Sequence, residues 1–154
     1  MLQRLIKNKK QVSQLYLYSC DFESLYTNIK PEDATYRICK YIHDNNLIKL
    51  KNFDIVGFRS LLELIFTNYI FTFDGLYFVQ KVGLPMGCKC GPMIANLYLY
   101  TYEINWLNVI NPICYGRFFD DIMVANETPL DIDNFKNNFN YLKLNIETRE
   151  KMPI

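Results

Sequence analysis

An α/β domain is what this sequence predicts, and three observations lead there. Short apolar runs of strand length alternate with stretches of helical periodicity, and two pairs of such runs flank Asp74-Gly75 and Asp120-Asp121. Half of the 154 residues fall in the hydrophobic class and 16% are aromatic, against 21% charged. A chain of this length and composition buries roughly 70% of the surface that its unfolded form exposes, so one sizeable core in a single domain is expected and disorder is excluded as the main state.

The elements follow in order. Leu15 to Cys20 alternates Leu and Ser with Tyr and Cys, a strand that ends at Asp21. Pro31 suits a first helical position, Glu32 and Asp33 suit the first turn, and Ala34, Ile38 and Ile42 share a face, which predicts a helix to about Asn45. Asp54 can cap a second helix whose Phe58, Leu61, Leu62, Ile65 and Phe66 have the spacing of a broad buried stripe. Asp74-Gly75 tolerates positive φ, so Ile70 to Phe73 and Leu76 to Val79 read as a hairpin. A loop with Gly83, Pro85, Gly87, Gly91 and Pro92 leads into a helix over Ile94 to Leu107, which Asn111-Pro112 stops. Ile113 to Phe119 and Ile122 to Ala125 read as a second hairpin with the two aspartates at its tip. Asp131 can cap a helix with Ile132, Phe135, Phe139 and Leu142 on one side, and Leu144 to Thr148 is a last strand.

With residues 31 to 80 set aside as an insertion, the order is strand, helix, strand, strand, helix, strand, the ferredoxin-like arrangement. There the first strand lies antiparallel beside the third. Asp21 is thereby expected next to Asp120 and Asp121.

The remaining composition narrows the function. Seventeen basic and sixteen acidic residues give a net charge of +1, so no global field attracts a polyanion. The short run Arg4, Lys7, Lys9 and Lys10 reads as a solvated face. No signal peptide or membrane span is expected, because no apolar stretch follows the N-terminal positive charges and the most apolar segment, Leu61 to Phe73, is interrupted by Glu63 and Asn68 and followed by Asp74. Five cysteines (Cys20, Cys39, Cys88, Cys90, Cys114) without paired CxxC spacing point to reduced thiols in a nuclear or cytoplasmic setting. Cys88, Cys90 and Cys114 with His43 match no common zinc spacing, so buried or loop thiols are the preferred reading.

Three carboxylates at one sheet edge repel one another, a cost seldom met unless cations occupy the site. All-oxygen ligands favour Mg²⁺ or Mn²⁺, and two such ions about 3.5 to 4 Å apart can clamp the oxygens of a phosphoryl transfer. Successive side chains diverge, so Asp21 and Asp120 are the better candidates to bridge both ions, with Asp121 the outer ligand. Each signal alone has a plainer reading: a lone Asp after a strand caps a turn, and Asp-Asp between apolar runs is a polar hairpin tip.

The stretch Cys20-Asp21-Phe22-Glu23-Ser24-Leu25-Tyr26-Thr27-Asn28-Ile29 resembles the first palm motif of reverse transcriptases, especially the form found in Penelope-like retroelements. Gly83-Leu84-Pro85-Met86-Gly87-Cys88-Lys89-Cys90-Gly91-Pro92 is similar to the second, and Phe118-Phe119-Asp120-Asp121 to the aromatic-x-Asp-Asp box, in the same order and over roughly residues 15 to 149. The resemblance implies a palm with part of the fingers inserted at 31–80, without N-terminal fingers or thumb. It implies RNA-directed DNA synthesis on a primed RNA or DNA template from deoxynucleoside triphosphates, the missing regions coming from a longer or partner chain.

By the same resemblance Asp21, Asp120 and Asp121 are the catalytic metal ligands, with the Phe22 carbonyl a further one. Tyr26 sits where the family crowds the sugar 2′ position, although a core tyrosine is an equally plain reading. Met86 and Gly87 fall at the nascent base pair, and Pro85, Lys89 and Phe118 fall along the nucleic acid; for Lys89 a solvated loop lysine is an alternative. Phe119 departs from the family's small aliphatic residue, a change expected to alter packing. Two other readings stand beside this one: a remnant that binds nucleic acid without catalysis, and a metal-dependent nuclease using Asp21 and Glu23 with the aspartate pair.

Overall fold

The computed structural model describes residues 14–46 and 53–153; the basic run Arg4, Lys7, Lys9 and Lys10 lies outside them. The chain divides into two compact units, Met1–Glu23 with Tyr102–Ile154, and Ser24–Thr101. The expected insertion at 31–80 falls inside the second unit. That unit also takes in residues 24–30 before the insertion, and the Gly/Pro loop and the start of the next helix after it.

The first unit is built on a sheet of β1 (Gln14–Phe22), β4 (Cys114–Phe118), β5 (Asp121–Asn126) and β6 (Leu144–Pro153), in the order β4-β5-β1-β6 with every pair antiparallel. This is the ferredoxin-like order expected from the sequence. Strand alternation sets the core face. Tyr18, Cys20 and Phe22 of β1 and Ile122 and Val124 of β5 are buried, whereas Asp121 and Met123 are exposed and Ser19 and Asp21 half-buried.

Aromatic rings from the second half of α4 (Gly91–Ile110), from α5 (Ile132–Asn137) and from the turns after it cover that face. Phe22 meets Phe139 edge-on at 4.9 Å, and Trp106 lies 4.5 Å from Phe135 and 6.0 Å from Tyr115 between ring centres. The Tyr18 hydroxyl accepts from the Leu130 amide at 2.9 Å, so its buried polar end is satisfied. α4 ends where Asn111 takes φ +47, the left-handed C-terminal position that Asn tolerates, and Pro112 follows. α5 is shorter than the periodicity suggested: Phe139 and Leu142 are buried from the turns beyond it.

The second unit contains α1 (Leu25–Asn28), α2 (Pro31–Asp44), α3 (Ile55–Thr67) and the hairpin of β2 (Ile70–Phe73) and β3 (Leu76–Val79). Asp54 caps α3 as expected, its carboxylate accepting from the Val56 and Gly57 amides at 3.1 and 2.9 Å. The broad stripe expected on α3 is narrower: Leu62 and Phe66 are buried, Phe58 and Ile65 half-buried, and Leu61 is 59% exposed. The first half of α4 belongs here through the Tyr98 hydroxyl, which donates to Asp33 of α2. No helix among the described residues is long and apolar enough to cross a membrane.

Candidate active site

The β1–β5 register places Asp21 directly opposite Asp121, on the sheet face away from the aromatic core. Residues so paired have Cβ atoms about 4.5 to 5.5 Å apart. The hairpin before β5 turns one residue earlier than the sequence suggested. Phe118 pairs with Asp121, so the tip is Phe119-Asp120 and Asp121 already belongs to the strand. An aspartate pair at the tip would have left both carboxyls on a loop; the observed turn fixes Asp121 in the ladder and leaves Asp120 beside it.

Phe119 adopts φ +56, a left-handed conformation that a bulky residue seldom takes and that costs on the order of 1 kcal/mol or more. A buried ion pair supports it. Glu103 of α4 binds the Arg117 guanidinium of β4 through Nε and, at 3.3 Å, through Nη2, while Nη1 donates to the Phe119 carbonyl at 2.9 Å. The two side chains are only 4% and 9% exposed. Neither residue was singled out from sequence, although an acid in the apolar helix and an arginine in the apolar strand were the available signals. Phe118 packs edge-on against Phe119 at 4.7 Å and is 73% exposed.

A fourth carboxylate joins the cluster. β6 pairs Ser19 with Thr148 and Cys20 with Ile146, so Glu147 is the extra residue of a bulge, and its Oε2 accepts from the Ser19 hydroxyl at 3.1 Å. A simple alternation along β6 hides it. The Asp21 carboxyl is held above its ordinary range, first by desolvation and then by the charges of Asp120, Glu147 and Asp121; the Phe22 amide, donating to it, opposes the shift. The same Glu147 charge adds to burial in raising the Cys20 thiol to about 11.

The donor chemistry suits a hard divalent cation, since every group is a carboxylate oxygen and the repulsion on Asp21 is what a cation relieves. Among the described residues, no group of three or more His, Cys, Asp or Glu is arranged to hold a metal ion. In this structure the acids form a cluster of like charges rather than a closed cage. The cysteines do not gather with His43 either, whose ring lies 3.4 Å from its neighbour Asp44.

Within the Ser24–Thr101 unit one hydrogen bond joins the segment of Tyr26 to the loop that carries Pro85, Met86, Gly87 and Lys89. The Leu84 amide donates to the Tyr26 carbonyl at 2.7 Å, which ties the Gly/Pro loop to α1. Gly83 has φ +81, and a Cβ there would fall 2.7 Å from the Tyr26 carbonyl oxygen and 2.8 Å from Thr27 Cα, so no other residue fits. A Cβ on Gly87 would stand 2.0 Å from the Tyr69 hydroxyl, a reason for glycine that the sequence did not show. Met86 is 69% exposed and Lys89 exposed, and Tyr26 is half-buried. Pro85, expected along the nucleic acid, is fully buried; its carbonyl accepts from Cys88, and its ring is part of the packing rather than of a free surface.

The model of the reverse transcriptase (RNA-dependent DNA polymerase) family matches residues 2–146, and the chain belongs to that family. In fold it is similar to the Candida tropicalis telomerase. The apo form truncated from the C-terminal domain matches with a TM-score of 0.70 at 13% identity, over 98% of this chain and 33% of that one. The apo telomerase matches at 0.69 and 13%, over 98% and 30%. The telomerase in complex with the TWJ fragment of telomeric RNA matches at 0.67 and 14%, over 98% and 28%. The chain thus spans about a third or less of those telomerase chains. A search of curated proteins finds no match.

Proposed function

We propose that this chain is the palm, with part of the fingers, of an RNA-directed DNA polymerase that adds deoxynucleotides to a primer 3′ end on a nucleic-acid template. One observation carries the reading: in a chain of this family, the β1–β5 register sets Asp21 against Asp121 with Asp120 in the adjoining turn. Asp21, Asp120 and Asp121, with the Phe22 carbonyl, would hold two Mg²⁺ or Mn²⁺ ions. Such ions, when bound, supply electrostatic stabilisation of the attacking and leaving oxygens. The residues of the chain orient. The Arg117–Phe119 contact fixes the turn that carries Asp120, and the Tyr26–Leu84 hydrogen bond fixes the loop that carries Met86 and Gly87 against the nascent base pair.

Tyr26 is the sugar gate in this reading, a ring excluding the 2′-hydroxyl of a ribonucleotide. The Ser24-to-Ile29 stretch supports a place near the Penelope-like branch, and five thiols outside any disulfide support a nuclear or cytoplasmic setting.

The test is primer extension by the protein expressed with its native flanking reading frame, in Mg²⁺ or Mn²⁺, comparing parent with Asp21→Asn combined with Asp120→Asn. The double variant is expected to lose extension by at least about a hundredfold, as misplacement of the reacting groups by about 1 Å can do. Tyr26→Ala is expected to admit ribonucleotides while deoxynucleotide use falls less. Binding of primed template without extension by the parent would overturn the polymerase reading in favour of a binding module.

A further inference from the structure

Cys88 and Cys90 stand apart from the other thiols. Their Sγ atoms lie 3.0 Å apart, closer than two unbonded sulfurs ordinarily pack, and both residues are half-buried. The backbone explains the approach. The Gly91 amide donates to the Cys88 carbonyl at 2.9 Å, closing a turn over Cys88–Gly91 that brings two side chains separated by Lys89 onto one side. Further bonds hold this turn in place, Cys88 N to the Pro85 carbonyl at 3.2 Å and Ile94 N to the Cys90 carbonyl at 3.0 Å. A Cβ on Gly91 would fall 2.9 Å from the Pro85 carbonyl, so the close turn depends on glycine.

The electronic arrangement is asymmetric. The two thiols share a hydrogen bond in which either can donate; that bond, with the amides of Cys90 and Gly91, holds the Cys88 thiol below its ordinary range, and burial opposes the shift. Cys90 is raised, by the same bond and by burial. One member is thus primed to ionise and the other waits beside it. Burial raises Cys20 and Cys39 instead, and both are buried.

We propose that Cys88 and Cys90 form a redox-active dithiol, a site oxidised by hydrogen peroxide to an intraloop disulfide and returned by thiols. The Cys88 thiolate attacks one peroxide oxygen; an S–O bond forms, the O–O bond breaks, and the departing hydroxide leaves as water with the proton Cys88 gave up. The Cys90 sulfur then attacks the Cys88 sulfur; the S–S bond forms, the S–O bond breaks, and hydroxide leaves as a second water with the Cys90 proton. The two sulfurs surrender two electrons and the peroxide accepts them. The sulfurs must close from 3.0 Å to about 2.05 Å, a movement of about 1 Å within a turn one residue beyond Gly87. A bond across a single intervening residue is strained and therefore readily reduced, the mark of a labile rather than a structural disulfide.

The experiment treats the reduced full chain with hydrogen peroxide and follows it by intact mass and peptide mapping, with Cys88→Ser and Cys90→Ser in parallel. The parent should lose two hydrogens, mapped to the peptide carrying both cysteines and restored by dithiothreitol. It should do so on the order of tenfold faster folded than in urea, because the turn holds the sulfurs together. Cys90→Ser should accumulate a Cys88 sulfenic acid that dimedone traps; Cys88→Ser should form no intraloop bond. The proposal is overturned if both thiols remain alkylatable after treatment, if the bond maps to another pair, or if folded and urea-unfolded chains react at the same rate. None of these readouts depends on polymerase activity.

Discussion

The described residues form two antiparallel assemblies, and they differ in what their faces do. In the β4-β5-β1-β6 sheet, alternation sends Tyr18, Cys20, Phe22, Ile122 and Val124 into an aromatic core and leaves Ser19, Asp21 and Asp121 on the other face. In the β2–β3 hairpin apolar residues stand on both faces, with Thr72 the one small polar side chain, and all eight strand positions are exposed, Phe73 and Tyr77 to 70% and 80%. Apolar content makes a strand in both cases. Only where polar residues alternate with it does the pattern say which face is core, and there the polar face is free to collect charge. The acidic cluster belongs to the first kind of assembly, because a register error of one residue would send Asp21 into the core.

The sharpest way to break the sheet's side of this contrast is to remove one partner of the buried Glu103–Arg117 pair. Glu103→Leu or Arg117→Met alone should cost about 3 to 5 kcal/mol in chemical denaturation, because each strands the other charge among apolar neighbours. The double variant should recover most of the loss, since an apolar pair of similar volume avoids the desolvation cost. A double variant as unstable as either single one would show that the Phe119 contact, and not the charge pair, carries the effect.

In the other unit the largest expected effect sits at Gly83. Gly83→Ala combines a left-handed φ with a 2.7 Å collision against backbone, and should cost about 3 kcal/mol. Gly75→Ala, with φ +74 but open space around it, should cost only about 1 kcal/mol. Equal costs at the two positions would mean that the loop shifts away from α1 readily and that the Tyr26–Leu84 tie is weak.

How much of this was legible follows from the range of each interaction. The Asp74-Gly75 hairpin, the Asp54 cap and the Pro31 start were readable because each depends on a few neighbouring residues. The meeting of Asp21 with Asp121 was readable because topology and alternation together determine it. The turn at Phe119-Asp120 was not, since it needs a positive φ at a phenylalanine, held by an arginine two residues earlier and a glutamate on another element. Glu147 was hidden by a bulge, and Leu61 by a helix face that meets fewer neighbours than its periodicity suggests.

A smaller effect tests the electrostatics of the acidic face. Asp21 is raised in the folded chain, so its contribution to stability is fully present below its unfolded value of 3.8 and is lost as pH rises through the higher folded value. Asp21→Asn should therefore leave thermal stability unchanged near pH 3.5 and raise it slightly at pH 7, by less than about 1 kcal/mol given solvent screening. Mg²⁺ or Mn²⁺ should raise the parent's melting temperature by preferential binding to the folded form, and Asp21→Asn combined with Asp120→Asn should abolish that shift. An unchanged shift in the double variant would place the ions elsewhere.

The smallest effect is expected in the hairpin, and it sharpens the comparison most directly. Phe73→Thr with Tyr77→Thr keeps strand-favouring residues and removes two rings that are 70% and 80% exposed. The Phe71–Phe78 stack, 5.6 Å between directly opposed rings, and the Asp74-Gly75 turn are untouched, so the hairpin retains what holds it together. Stability should change by no more than about 0.5 kcal/mol, the ordinary range for surface positions, measured by denaturant midpoint at low protein concentration. A loss above about 2 kcal/mol would mean that these rings are covered in solution. Repeating the measurement at several protein concentrations then separates the two possible covers: a midpoint that falls on dilution identifies a second copy of the chain, and one that does not identifies burial within a single chain.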